Sequence, residues 1–306
     1  MHVRRAEYPL EDLSHLQDSA RETARLPGPE RTQRIRADRW IGYPRAQEAL
    51  ARLQTLYEWP VRQRMPNLLL VGPTNNGKSM IIEKFRRRHP LVPGPDREQI
   101  PVLSVQMPSD PSVARFYAAL LAATGAPVQP RQRLAELERL AVFLLREVGV
   151  RILVIDELHN VLAGRESGRR EFLNLLRFLG NELRIPLVGV GTREAYLAIR
   201  SDDQLENRFE PMTLPLWEVN TDLLSLLASF ASSFPLRQRS DLATEDMARY
   251  LLTRSEGTIG ELTMLLTEAA VAAIDSGEES INHRTLTLAS YDGPAARRRK
   301  FERELM

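Results

Sequence analysis

Apolar residues in this chain cluster in two ways, as short unbroken runs and as longer stretches that repeat every three or four positions. Runs occupy 67–71, 102–105, 152–155, 186–190 and 212–216, the first of them bounded by Pro66 and Gly72. An unbroken apolar run of this length predicts a strand buried on both faces. Between the runs the spacing is helical: Ala46, Ala49, Leu50, Leu53 and Leu56 mark one helix over 43–56, and further helices are predicted near 79–88, 111–124, 132–147 and 168–182. Strands alternating with helices specify an α/β domain with a five-stranded parallel sheet flanked by helices. After Trp217 the strand runs stop, and helical patterns at 221–232, 244–254 and 259–276 predict a small all-α domain. The expected organisation is therefore an arm at 1–40, broken at Leu26-Pro27-Gly28-Pro29, an α/β domain at 41–217, a helical domain at 218–290 and a basic tail at 291–306.

Composition narrows the chemistry. With 306 residues, 43% hydrophobic and 27% charged, the chain has the makings of an ordinary globular protein of about two domains. Cysteine is absent, which removes disulfides, thiolate metal sites and a thiol nucleophile, and is in keeping with a reducing, cytoplasmic setting. The five histidines show no metal-ligand spacing, which argues against a zinc hydrolase. The charged start, and the lack of an apolar run near the ~18 residues of a membrane span, set the expectation of no membrane association. Net charge is only +2, yet of 42 basic residues only Lys78, Lys84 and Lys300 are lysine.

One of those lysines closes the most informative motif. Gly72-Pro73-Thr74-Asn75-Asn76-Gly77-Lys78-Ser79 fits G-x-x-x-x-G-K-[ST] and lies between a predicted strand and a predicted helix, the context a phosphate-binding loop demands. Its glycines let successive backbone N–H groups face phosphate oxygens at the positive end of the following helix. Lys78 then reaches the β- and γ-phosphates of ATP, and the Ser79 hydroxyl a magnesium ion. A second element, Arg151-Ile-Leu-Val-Ile155-Asp156-Glu157, follows 78 residues beyond Lys78 as an apolar strand ending in two carboxylates, a Walker B pattern. Asp156 is placed to hold magnesium, and Glu157 to polarise a water for attack on the γ-phosphate. Taken alone, such a pair more often caps a helix. The strand at 186–190 leads into Thr192, whose hydroxyl is either a γ-phosphate sensor, a helix N-cap, or both. Arg208 stands before the last strand; beside Glu206 and Glu210 it also fits a plain surface ion pair.

Together these motifs resemble the AAA+ ATPases, a P-loop NTPase superfamily with a helical lid domain. In that superfamily an arginine at the place of Arg208 acts in trans on a neighbouring subunit's nucleotide. The segment Ser255-Glu-Gly-Thr-Ile-Gly260-Glu261-Leu262 resembles the start of the lid helix that often supplies an arginine to the γ-phosphate, but Glu261 stands where the arginine is expected. A narrower resemblance is carried by Arg39-Trp40-Ile41-Gly42-Tyr43-Pro44, by Arg64-Met65-Pro66-Asn67 running into the phosphate loop, by Val154-Ile-Asp-Glu-Leu-His159-Asn160 and by Pro186-Leu-Val-Gly-Val-Gly-Thr-Arg-Glu194. These look like the TniB/TnsC family of transposon-encoded helper ATPases, closest to TniB, over about residues 35–275.

That resemblance implies a homo-oligomer, ring or filament, that assembles with ATP on target duplex DNA, recruits or activates a separate DDE-type transposase, works with a TniQ-type target adaptor, and is reset by hydrolysis. It also implies that Ile41 and Tyr43 border the adenine, although aromatic residues ahead of a helix are as often core. Arg115, Arg131 and Arg133 become candidates for DNA backbone contacts. Arg297–Lys300 fit either a phosphate or acidic-partner grip or a solvated tail. Two other functions share much of this pattern: an AAA+ replication initiator or helicase- or clamp-loader, and a P-loop kinase acting on a small molecule.

Overall fold

A computed structural model describes residues 12–37, 39–94, 97–127 and 132–305. These divide into two compact units, Arg45–Pro215 and the chain up to Pro44 together with Leu216 onward.

The first unit begins with α3 (Pro44–Glu58), after α1 (Asp18–Ala24) and α2 (Gly28–Arg36) of the other unit, and α3 buries the Ala46, Ala49, Leu50, Leu53 and Leu56 stripe that predicts it. Five strands follow: β1 (Asn67–Val71), β2 (Val102–Gln106), β3 (Ile152–Asp156), β4 (Leu187–Gly191) and β5 (Phe209–Thr213). They form one parallel sheet in the order β2-β3-β4-β1-β5. Between them run α4 (Lys78–Arg88), α5 (Val113–Ala123), α6 (Leu134–Glu147), α7 (Glu166–Leu183), α8 (Arg193–Arg200) and the short α9 (Asp203–Glu206), with a 3-10 turn at Leu158–Ala163. β1 and β4 are buried along their whole length, as inner strands covered on both faces must be. The core runs from Leu69 and Val71 through Phe116, Tyr117, Leu153 and Ile155 to Phe172 and Leu176, so the central strands are fixed by apolar packing on both sides.

Asn67 opens β1 without breaking this pattern. Its side-chain oxygen accepts from Leu187 N at 2.9 Å, and its own N–H donates to Arg208 O at 2.9 Å, so one buried amide joins the starts of β4, β1 and β5.

The last strand departs from the sequence expectation. The apolar run at 212–216 predicts β5 there, but the strand lies at Phe209–Thr213. β5 is a sheet edge paired only with β1, and of its five residues only Phe209 and Met212 are buried. Pro211 is accommodated because an edge strand can leave one N–H position unpaired. The apolar residues after it, Leu214 and Leu216, belong to the loop that follows.

The second unit contains α10 (Thr221–Ser233), α11 (Glu245–Ser255), α12 (Ile259–Ser276), α13 (His283–Leu288) and α14 (Pro294–Leu305) with α1 and α2. Where the sequence reading treats 1–40 as a separate arm, α1 and α2 pack on these helices, α1 beside α10 and α2 along α12. Their tie is a buried ion pair: Arg31 donates to both carboxylate oxygens of Glu279 at 2.6 Å, with side-chain exposures of 3% and 7%. The basic residues after Gly293, one reading of which is a solvated tail, form α14. Arg297 donates to Glu261 at 2.6 Å and Arg298 to Glu256 at 2.8 Å. Among the described residues no single helix is long and apolar enough to cross a membrane.

Candidate nucleotide site

The site is built at the carboxyl ends of the central strands, where an open α/β sheet offers its crevice to ligands. β1 ends at Val71, and the chain turns through Gly72–Gly77 into α4. Two glycines are required there. A methyl group on Gly72 would stand 2.7 Å from the Leu214 carbonyl oxygen, and Gly77 has φ of 85°, in the left-handed region. Gly77 directly precedes the first turn of α4, whose free N–H groups and positive dipole end face the loop.

Asn76 holds the loop from below. It is buried and donates to Leu214 O at 2.9 Å and Pro215 O at 2.8 Å, clamping the loop to the segment leaving β5. Pro73, Thr74 and Asn75 form the rest of the turn, Asn75 with φ of 59°. Lys78 is buried, and its ammonium donates to Gly72 O at 2.8 Å and Pro73 O at 2.6 Å, capping the loop it belongs to. Burial pulls its pKa below the usual lysine value, while the carboxylates of Glu157 and Asp156 act the other way. Both acids therefore lie within electrostatic reach of the phosphate loop.

β3 delivers those acids. Asp156 is its last residue, and Asp156 Oδ2 accepts from the Ser79 hydroxyl at 3.1 Å, while Oδ1 accepts from the Glu157 N–H at 2.8 Å. A hydroxyl and a carboxylate this close are the oxygen donors that magnesium takes, its remaining positions being filled by phosphate and water. Among the described residues no group of three or more His, Cys, Asp or Glu side chains is placed to hold a metal by itself.

Glu157 has a left-handed backbone, φ 55° and ψ 34°, and its Oε2 lies 3.0 Å from His159 Nε2, an ion-pair distance. Asn160 donates to Met107 O at 3.3 Å, and Met107 N–H to Asp156 O at 2.8 Å, which ties this segment to the end of β2. Sequence reasoning assigns no role to His159 or Asn160. The signal was present in the Asp-Glu-Leu-His-Asn stretch, but the contact depends on the turn that follows β3.

Thr192 follows β4, which lies directly beside β1, and Gly72 N–H donates to Gly191 O at 3.1 Å. Thr192 occupies the N-cap position of α8, yet its hydroxyl makes no cap bond. It donates instead to the Glu194 carboxylate, which holds that acid below its ordinary pKa. The N-cap alternative thus fails for the side chain, while the backbone just before Thr192 is bonded to the first residue of the phosphate loop.

Arg208 lies at the other end of the sheet. Its Nη1 donates to Asn181 Oδ1 at 2.8 Å, and it lines a cavity of about 500 Å³ with Trp59, Arg62, Arg64 and Asn207. The surface-pair alternative is not what the structure holds: Glu206 pairs with Arg200 and Glu210 with Arg52. A five-residue strand spans roughly 16 Å, so Arg208 cannot reach its own phosphate loop.

The remaining candidates are scattered. Tyr43 belongs to the second unit, its ring edge-on to Trp217 with centroids 5.0 Å apart, and burial pushes its hydroxyl up to about 12. Ile41 lies beside it in the chain, partly buried. Arg115 is exposed and ion-paired to Asp110 at 3.1 Å; Arg133 is exposed at the N-cap position of α6; Arg131 lies outside the described residues. Glu261, at the place of the expected lid arginine, is buried and accepts from Arg297 and from Tyr291 at 2.9 Å.

The model of the bacterial TniB protein family matches residues 31–219, more than half of the chain. The chain belongs to the TniB family. Its strand order and added helices are those of the AAA+ fold. Against curated proteins this TniB-family chain is 29% identical over 156 residues to the chaperone protein ClpB of Meiothermus ruber, a match that covers 50% of the chain and only 16% of ClpB. Among solved structures it is similar to the ORC2 protein of Aeropyrum pernix in ADPNP–ADP complexes, with TM-score 0.56 and 17% identity over 83% of this chain and 70% of that one. It is also similar to the ORC1 protein of the same organism in complex with DNA, with TM-score 0.53 and 17% identity over 84% and 68%. Likeness at this identity shows the fold.

Proposed function

We propose that this TniB-family AAA+ protein hydrolyses ATP and acts as a DNA-binding regulator of transposition, assembling as a ring or filament on target duplex DNA and recruiting or activating a separate DDE-type transposase. The observation that carries the ATP reading is the convergence of Lys78 and Ser79, at the start of α4, and Asp156 and Glu157, at the end of β3, on the phosphate loop that follows β1. In this reading the loop N–H groups and Lys78 hold the β- and γ-phosphates. Ser79 and Asp156 hold magnesium, which neutralises developing phosphate charge when bound. Glu157 polarises the attacking water, and Thr192 orients it or senses the γ-phosphate. Thr74, Asn75 and the N–H groups around Gly77 line the phosphates, and Ile41 and Tyr43 border the adenine.

Arg208 completes a neighbour's site, because it stands at the strand ends opposite its own phosphate loop. This supports a homo-oligomer with the active site at the subunit interface. DNA engagement is supported by the family and by the A. pernix ORC1 relative, solved with DNA. Arg115, Arg131 and Arg133 are the proposed backbone contacts. That same relative favours a second reading, a replication initiator or loader, which would bind DNA similarly but engage a helicase or clamp in place of a transposase.

Mixing tests the shared site. Lys78→Ala and Arg208→Ala are each expected to lose hydrolysis alone, and an equimolar mixture to regain a measurable share of it, since one variant supplies an intact loop and the other an intact arginine. A mixture as inactive as its components would overturn the trans arrangement.

A further inference from the structure

Glu157 stands on a left-handed backbone at the start of a 3-10 turn, so its own chain leaves the direction of the carboxylate to tertiary contacts. Among the described residues one side chain supplies such a contact: His159, whose Nε2 lies 3.0 Å from Glu157 Oε2. A carboxylate oxygen can only accept, so in this contact Nε2 is the side that can donate. The other ring nitrogen, Nδ1, is buried with no hydrogen-bond partner. It faces the end of β4: a methyl group on Gly191 would stand 3.4 Å from Nδ1 and 3.3 Å from the His159 backbone nitrogen. Among the described residues the polar contact of the ring is thus the approach of Nε2 to Glu157, with Nδ1 left unpaired.

Two carboxylates lie near the ring: Glu157 at 3.0 Å, and Glu194, which is close enough to feel the imidazole. Despite being held by His159, Glu157 remains the larger acidic influence on Lys78, ahead of Asp156. The carboxylate that His159 approaches is therefore the same one that lies within electrostatic reach of Lys78.

We propose that His159 is the positioning residue of the hydrolytic site: it fixes one oxygen of Glu157 so that the other faces an attacking water, and its seat over Gly191 ties that placement to the end of β4 beside Thr192. The proposal rests on the reading of Glu157 as the group that polarises water. A methyl group on residue 191 would meet Ala195 Cβ at 2.7 Å before it met the His159 ring, so the end of β4 packs closely against both the start of α8 and the turn that carries His159.

The test uses the full chain with ATP and magnesium, comparing His159→Ala, His159→Gln and Glu157→Gln by single-turnover rate, steady-state KM, nucleotide affinity and thermal melting. His159→Ala is expected to lower the chemical rate about tenfold or more, because a misplaced catalytic group loses rate steeply with distance, while KM and nucleotide affinity stay within about twofold. His159→Gln, which keeps an N–H donor on a side chain of similar reach, should recover a substantial part. In a Glu157→Gln background His159→Ala should cost nothing further, as expected for residues acting as one unit. An unchanged rate in His159→Ala, a loss confined to KM, or full additivity with Glu157→Gln would overturn the positioning role while leaving Glu157's role intact. An undiminished rate in Glu157→Gln would instead overturn the hydrolytic reading, and the positioning role with it.

Discussion

Removing one partner of the Arg31–Glu279 pair should cost the helical unit more than any surface substitution. Both side chains are almost fully buried, the guanidinium meets the carboxylate through two 2.6 Å hydrogen bonds, Arg31 also donates to Pro235 O at 3.1 Å, and Arg237 N–H donates to Glu279 Oε2 at 3.2 Å. Arg31→Met leaves that carboxylate in the interior with one backbone donor in place of three, and Glu279→Gln leaves a buried guanidinium facing a neutral amide. An unpaired buried charge costs about 3–5 kcal/mol. At about 2–4 °C per kcal/mol for a unit of this size, the melting temperature should fall by about 6–20 °C in either single variant. The double variant Arg31→Met/Glu279→Gln loses the pair but strands no charge, so at least half of the larger single-variant loss should return. Thermal unfolding followed by circular dichroism at constant pH and salt reads all four proteins. Single variants that melt within 1–2 °C of wild type by this about-3-kcal/mol argument, or a double variant whose loss equals the sum of the singles, would refute it.

Three further expectations follow from the site and its frame. Glu157→Gln should bind ATP as tightly as wild type yet turn over about a hundredfold or more slowly, measured as nucleotide affinity against phosphate release; equal turnover would remove Glu157 from the chemistry. Asn76→Ala strips a donor from two carbonyls and should lower stability by about 1–3 kcal/mol and weaken nucleotide binding, read by denaturant unfolding and nucleotide titration. Tyr43 keeps its proton to about pH 12 when folded against 10 when unfolded, so it favours the folded state below pH 10 and that contribution fades between 10 and 12. Tyr43→Phe should therefore flatten the alkaline limb of the stability curve, and an unaltered limb would contradict the burial argument.

What the sequence makes legible follows from how each element is buried. The central strands are wrapped on both faces, so an unbroken apolar run announces β1 and β3, and the phosphate loop is marked by glycines that the backbone path cannot do without. β5 escapes because an edge strand need bury only Phe209 and Met212, leaving Glu210 and Pro211 to read as loop. α14 escapes because it buries no residue and carries no apolar stripe; its first turn is held by ion pairs to Glu261 and Glu256, whose positions only the fold brings near. Glu261 itself shows why a departure from a family pattern is informative: an acid replaces the expected lid arginine, and an arginine from α14 meets it. His159 could be seen in the sequence but not understood there, since its approach to Glu157 depends on the 3-10 turn that follows β3.

The most direct test of the account is association with random-sequence duplex DNA in magnesium, with a slowly hydrolysed ATP analogue against ADP, across a salt series and beside Lys78→Ala. The account predicts sequence-tolerant binding and large assemblies with the analogue alone, weakening steeply as salt rises and absent in Lys78→Ala. Nucleotide bound tightly with no DNA association in either state would contradict it.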